Sequence, residues 1–461
     1  MSKWTSKIAD VLKLRKLTPA QVIIFGFLAV IFVGGLLLML PFSSDKGTFT
    51  SPATAFFTAT SATCVTGLVL VDTAEYWSSF GKGIILLLIQ IGGLGIMSMA
   101  MMFSMLLGRR VSPKERVVFV QSMNLFSGEK MFKFIKNMLA MTFAFEGIGT
   151  VLLAFKFIPL FGFRDGIIKS LFHAVSAFCN AGFDIMGSFS GEFSSLSHFA
   201  DDLYVNIVIG VLIVCGGLGF IVWYDIYKKI RERKRMSPYT KLVLGISGVL
   251  ILTGTVVFLL AEWDNPGTVG DFSAGKKLLR SLFMSITCRT AGFSTIPIDS
   301  LKDVSKVFSM ILMFIGGSSG STAGGIKTVT IGVVLIAVFQ IARGNKDINI
   351  RRRRIDNTIV SRAFALMVIA GVVVMASSFI LSLTEKGYAF RDLAFEAFSA
   401  FGTVGLSTGI TPFISGAGQI LIMALMFFGR IGIITITYAI MMGLNADKQS
   451  IRYPKTNVLL G

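Results

Sequence analysis

The chain has 461 residues, 53% of them hydrophobic and only 15% charged, with a mean hydropathy of +0.75. Those proportions exclude an ordinary soluble globule and indicate an integral membrane protein. The formal net charge of +19 does not indicate nucleic acid. Its cations gather in short runs beside apolar segments, such as RERKR at 231–235 and RRRR at 351–354, the pattern of topology signals facing anionic lipid.

A bilayer core of about 30 Å needs roughly 20 helical residues to cross it, and eight segments are long enough. They run near 19–41, 80–108, 131–158, 203–230, 239–261, 306–342, 358–383 and 417–443. The first follows a basic start, MSKWTSKIADVLKLRK, without a small-residue cleavage signature, so it reads as a retained span. Lys and Arg concentrate at both ends of the chain and in the three loops between paired spans, which puts both termini in the cytoplasm of a multi-pass cell-membrane protein.

Between the two spans of each pair lies a shorter element. In the first, Ser51 and Pro52 offer an N-cap and a first-turn proline for a helix of a dozen residues, ATAFFTATSATC. That is too short to cross, and non-helical backbone at membrane depth is tolerated only inside protein or along a watery cavity. The segment is therefore expected to dip in and return. Similar short helices fall near 166–178, 275–287 and 390–401, and each leads to a similar phrase: TCVTGL, FCNAGF, RTAGF and GTVGL. The closing glycines, Gly67, Gly182, Gly292 and Gly405, recur at intervals of 115, 110 and 113 residues.

The fold class that follows is an all-α membrane protein of four fused helix, pore-loop, helix repeats around a pseudo-fourfold pore. It has eight transmembrane helices and four re-entrant ones. The expected divisions are a cytoplasmic N-terminus (1–17), repeats at 18–115, 116–236, 237–355 and 356–446, and a cytoplasmic tail (447–461). Glycine adopts φ > 0 without strain, so four such turns could aim backbone carbonyls at one axis and replace an ion's hydration shell. The negative C-terminal ends of the short helices would point at the same place. The candidate filter is Cys64, Val65, Thr66 and Gly67; Cys179, Asn180, Ala181 and Gly182; Arg289, Thr290, Ala291 and Gly292; and Gly402, Thr403, Val404 and Gly405. Glycine pairs in the second spans, Gly92 with Gly93 and Gly216 with Gly217, read as close-packing positions.

The third repeat departs from the others. Its second span is too long for one crossing and is interrupted by Gly316, Gly317, Ser318, Ser319, Gly320, Ser321, Thr322, Ala323, Gly324 and Gly325. A run of such residues has poor helix propensity and no apolar surface to anchor it, which predicts an unwound, mobile loop able to obstruct ions below the glycine ring. Lys327 follows it, and Arg430 stands in the fourth repeat's second span. Intramembrane charges default to a functional reading, and Arg430 is expected to donate to loop carbonyls and hold a gate shut. Arg289 should turn away from the ring, with Glu396 one candidate partner.

Gly320, Gly325, Lys327 and Thr328 nearly spell a phosphate-binding loop, but Ile326 interrupts it and an apolar helix precedes it. Cys64, Cys179, Cys215 and Cys288 show no CxxC pairing, and His173 and His198 lie in no ligand cluster, so no disulfide framework, transition metal or catalytic constellation is implied.

With these motifs the chain resembles the Trk/Ktr/HKT superfamily of potassium transporters, closely the bacterial KtrB/KtrD-type ion-translocating subunit. The motifs are VTGL at 65–68, FCNAGF at 178–183, RTAGF at 289–293, FSAFGTVGL at 398–406, the 316–325 loop, GRIG at 429–432 and IRYP at 451–454. The resemblance implies uptake of potassium (K+), often activated by sodium (Na+), with no organic cofactor. It also implies a homodimer with one pore per protomer, and a cytosolic KtrA/KtrC-type regulatory ring that binds ATP and ADP. In the family the broken third-repeat helix is the gate. Cys64 and Cys179 depart from the small polar residues expected beside the filter. The competing reading, an alternating-access secondary cation transporter, predicts inverted repeats and coupling carboxylates; the repeats here are parallel, and Glu146 is the one candidate.

Overall fold

A computed structural model describes residues 18–96, 98, 99, 102, 131–233, 235–345, 347–350 and 353–432. The basic start, the loop between the first two repeats, the ends of the second and eighth expected spans, the tail and its IRYP motif lie outside them. The elements used below run α1 (Pro19–Met39), α2 (Pro52–Cys64), α3 (Ser79–Leu94), α4 (Met131–Phe161), α5 (Phe163–Cys179), α6 (Leu203–Leu218), α7 (Phe220–Glu232), α8 (Pro238–Glu262), α9 (Ala274–Thr287), α10 (Asp303–Phe314), α11 (Thr328–Ala342), α12 (Asn357–Thr384), α13 (Phe390–Gly402) and α14 (Gly416–Ile431). A two-residue hairpin, β1 (Asn349–Ile350) with β2 (Arg353–Arg354), joins α11 to α12.

Each repeat is a long helix, a short one and a second long element that breaks. The long first helices start where the sequence supplies caps. Thr18 and Gln21 close a reciprocal capping box on α1, with Pro19 in the first turn. Ser237 and Pro238 start α8 in the same manner. The short helix α2 begins on Ser51, whose Oγ accepts from the Thr54 N–H at 3.2 Å. Its last ten residues, Ala55 to Cys64, are almost wholly buried, whereas α1 turns Phe25, Phe32 and Val33 outward. Apolar side chains thus form the outer surface, as a lipid-facing protein requires.

Among the described residues four helices are long and apolar enough to cross a membrane: Ala20–Met39, Lys133–Phe161, Pro238–Glu262 and Asn357–Thr384. These are the first spans of the four repeats. The second spans correct the expectation of continuous helices: within the described residues each of the four helices stops short of a full crossing, not the third alone. α3, α6 and α14 each stop after 16 residues, about 24 Å of helix, at Gly95, Gly219 and Gly432, where φ is +82°, +91° and +89°. After Gly219 the chain turns by 97° into α7. A single glycine suffices because these positive φ values are paired with ψ of 135°, 150° and 134°, a region open essentially to glycine alone.

The units close into a ring. The second element of each repeat packs on the short helix of the next: α3 on α5, α6 on α9, α10 on α13, and α14 back on α2. Glycines also let each of three second elements close on the short helix of its own repeat. A methyl group on Gly92, Gly216 or Gly429 would collide with the carbonyl oxygen of Thr63, Phe178 or Phe401, near the end of the short helix in its own repeat, so close packing is their geometric role.

Candidate ion pore

The short helices end in a shared backbone device. In α2, α5 and α13 the residue two before the glycine, Val65, Asn180 or Thr403, is left-handed at φ +59°, +59° and +50°. The next N–H then reaches back to a helix carbonyl: Thr66 to Ser61, Ala181 to Ser176 and Val404 to Ser399, at 2.8–2.9 Å. This is a Schellman closure with a non-glycine residue in the strained position. In the third repeat the helix ends earlier, at Thr287, yet the left-handed residue is again two before the glycine, Thr290 at φ +71°.

The four glycines that follow have φ of +95°, +70°, +80° and +93° and touch one another in cyclic order. A methyl group on Gly67 would fall within 2.7 Å of the Ala181 carbonyl oxygen; on Gly182, of Ala291; on Gly292, of Val404; and on Gly405, of Thr66. Each would also lie within 3.3 Å of a neighbouring unit's glycine Cα. The bends thus meet in one closed circuit of four glycines alternating with four carbonyls, at the C-terminal, electronegative ends of the short helices. Val65, Thr66, Ala181, Thr290, Ala291, Thr403 and Val404 are buried, as are Cys64 and Cys179 at the last turns of α2 and α5. The Asn180 amide and Thr290 hydroxyl lie 3.3 Å apart across units. No ion is part of the structure; the donor set, neutral backbone oxygens on a short perimeter, fits a monovalent cation.

Four hydroxyls that sequence reasoning missed pin this circuit from behind. Ser61 and Ser399 accept from the N–H groups of Gly67 and Gly405, both at 3.1 Å. Ser176 and Thr287 instead donate to the carbonyls after the glycine, Phe183 at 2.7 Å and Phe293 at 2.6 Å. The available signal was a serine six residues before the glycine in repeats one, two and four, shifted to a threonine at five in repeat three.

Arg289 does turn from the ring, but its partner is not Glu396. Its Nη2 donates to Ser247 Oγ on α8 at 3.2 Å, while Glu396 accepts from the Ser407 hydroxyl (2.7 Å), the Thr408 N–H (2.9 Å) and the Thr411 hydroxyl (2.6 Å). Glu396 thereby ties down the chain leaving the fourth turn. Glu146, the carboxylate that alternating access would use, accepts from Gln90 at 3.2 Å and faces Cys179 Sγ at 3.8 Å, a scaffold contact behind the second turn.

The 316–325 loop is unwound between α10 and α11, as its composition indicates. Its anchorage corrects the expected freedom, because hydrogen bonds replace the missing apolar surface. Ser318 N–H donates to Gly217, Thr322 Oγ1 to Phe178, Gly325 N–H to Gly429 and Gly316 N–H to Ile326. Gly324 abuts the Thr403 side chain and Gly325 the Gly402 carbonyl, so the loop lies against the turns of repeats two and four. Arg430 donates to the Thr322 carbonyl with one arm and to Gly92 and Gly93 with the other. Lys327 folds back onto the loop, its Nζ 2.7 Å from the Ala323 carbonyl. Ser319 accepts from the Tyr239 hydroxyl at 3.1 Å and Gly320 from the Phe220 N–H at 2.9 Å; Ser321 accepts from Ala323 N–H at 3.3 Å.

Comparison with known proteins agrees with this architecture. Residues 2–450 match the TrkH family model, described as cation transport protein. The chain is 40% identical to Ktr system potassium uptake protein B of Bacillus subtilis, covering 98% of both chains. It is 39% identical to the potassium/sodium uptake protein NtpJ of Enterococcus hirae, covering 97% of this chain and 98% of the relative. The crystal structure of the potassium transporter TrkH from Vibrio parahaemolyticus superposes with a TM-score of 0.65 at 18% identity, over 91% of this chain and 85% of that one. This helical ring, matched along nearly its whole length, belongs to the TrkH family of cation transport proteins.

Proposed function

We propose that this chain is the potassium-translocating subunit of a Ktr-type uptake system, with the glycine circuit as its selectivity filter and residues 316–325 as its gate. The observation that carries the reading is the closed cycle of four positive-φ glycines, each against the carbonyl of the next unit. Neutral oxygens at the electronegative ends of four helices would replace water around a dehydrated monovalent cation. The uptake activities named for the Bacillus and Enterococcus relatives support potassium, and the Enterococcus name adds sodium as a second ion. Arg430, bridging loop and first repeat, acts as the latch that holds the gate closed. The Ktr system name supports a multi-component assembly. We infer a homodimer with a pore in each protomer, served by a separate cytosolic nucleotide-binding ring.

The test is potassium-limited growth and rubidium uptake of an uptake-deficient cell expressing this chain, with and without sodium. Growth restored by the native chain, with Gly67→Ser or Gly405→Ser lowering potassium over sodium selectivity, is the expected outcome. Unchanged relative uptake in both variants would remove the filter assignment.

A further inference from the structure

The break at Gly219 turns the chain by 97° into a second helix, α7, the one such bent pair of apolar helices among the described residues. With α6 along the bilayer normal, α7 lies in the membrane plane, and its depth is set by its contacts. Asp225, near its middle, accepts from the N–H of Ser237 at 2.8 Å, the residue that caps the start of α8. The Tyr224 ring lies 6.1 Å from Phe134, early in α4. Both contacts are with the ends of membrane-crossing helices, so α7 runs along the membrane surface.

Its two faces differ in what covers them. Val222 is buried in a cluster with Val243 and Leu218, against which Trp223 and Ile226 pack, and the Trp223 indole donates to the Cys215 carbonyl at 2.8 Å. The same apolar face runs past the protein edge, where Ile230 is 77% exposed and Tyr227 42%. Around that edge stand Lys228, 4.2 Å from the centre of the Tyr224 ring, and the exposed Lys229, Arg231 and Arg233. An apolar strip flanked by cations, parallel to a bilayer surface, has the chemistry of an interfacial helix seated on anionic headgroups. The first residue of this helix donates to the Gly320 carbonyl of the 316–325 loop.

We propose that α7 docks on anionic phospholipid through Lys229, Arg231, Arg233 and Ile230, and that this docking sets the position of the loop through the Phe220 to Gly320 hydrogen bond. The coupling rests on the gate reading above; the docking does not. Lipid is favoured over a protein partner because the exposed strip continues a buried face at membrane-surface depth, with charge complementary to acidic headgroups.

The experiment uses the full chain in vesicles. Ile230→Cys carries a bimane label, the four native cysteines being buried. Brominated phosphatidylglycerol should quench it more strongly than an equal fraction of brominated phosphatidylcholine. Replacing Lys229, Arg231 and Arg233 with Gln should remove most of that preference. Equal quenching by the two lipids overturns the docking, as does protection of the label by a second copy of the chain in neutral vesicles. In the same vesicles rubidium flux should vary with phosphatidylglycerol content in the native chain and not in the triple variant. Selective quenching with flat native flux overturns the coupling. A variant with a shortened 316–325 loop separates the two readings: fast flux at every lipid composition supports the gate, and flux no faster than native removes the gate while the quenching still decides the docking.

Discussion

Ser61 and Ser399 carry a small side chain with a large geometric duty. Each Oγ is the acceptor for the N–H of a glycine whose φ lies near +94°, so the hydroxyl helps fix where that bend sits. Removing it orphans a buried donor at a cost of about 1–3 kcal/mol. We expect Ser61→Ala and Ser399→Ala each to admit more sodium relative to rubidium, read as competitive uptake, with Thr at the same position retaining part of the native ratio. Ser176→Ala, which releases a carbonyl rather than an N–H, should disturb the ratio less, because an oxygen has a second lone pair and tolerates losing one donor better. Arg430→Gln should raise flux several-fold in the same assay by freeing Thr322 and Gly92; unchanged or lower flux would remove its latch role.

At the level of elements, the legible and the hidden separate by range. The long first helices were readable because some twenty apolar residues admit little else, and Thr18 with Pro19 and Ser237 with Pro238 mark two of the starts. The short helices were readable because their length fails the bilayer. The breaks at Gly95, Gly219 and Gly432 were not, since one glycine inside an apolar run is tolerated by most membrane helices; only ten consecutive small residues in repeat three announced an interruption. The partner of Arg289 was hidden for a different reason: Ser247 lies on another helix, and no local pattern records such a pairing. At Gly219, φ +91° with ψ +150° lies in a region essentially closed to L-residues and costs them on the order of 1–3 kcal/mol. Gly219→Ala is therefore expected to lower the thermal unfolding temperature in detergent and to misdirect α7, checked by fluorimetry and by the lipid dependence of flux. Asp201 ties the loop before α6 to α9 through Arg280 at 2.8 Å and Lys276 at 2.9 Å. Burial alone would raise its pKa, but the hydrogen bonds and charges of Lys276 and Arg280 outweigh it, and the net shift is downward. Stability from a depressed carboxylate is present above its unfolded pKa and lost as pH falls through its folded one. Asp201→Asn should thus cost no more than about 1 kcal/mol near neutrality, and the gap from native should close below the ordinary aspartate range near pH 3.9; a gap that persists in acid would exclude the ion-pair origin.

For the molecule as a whole, the ring closes because the last repeat packs on the first, α14 on α2, an arrangement the spacing of the glycines suggested without fixing which helix bridges to which. Weakening that final junction, for instance with Leu425→Ala in the buried cluster that α14 shares with Phe57 of α2, should lower the melting temperature of the entire chain in one transition rather than release one repeat, since every unit is clamped on both sides. Two transitions by calorimetry would contradict this. The third repeat, alone among the described residues in carrying an unwound stretch between two half-helices, has a further consequence. In an assembly of four identical subunits any change to the central passage is written four times over, so a device obstructing it must be compatible with all four quadrants. Here one chain spells each quadrant separately, so the gate proposed above needs to be built into one of them alone, with the other three left as its housing.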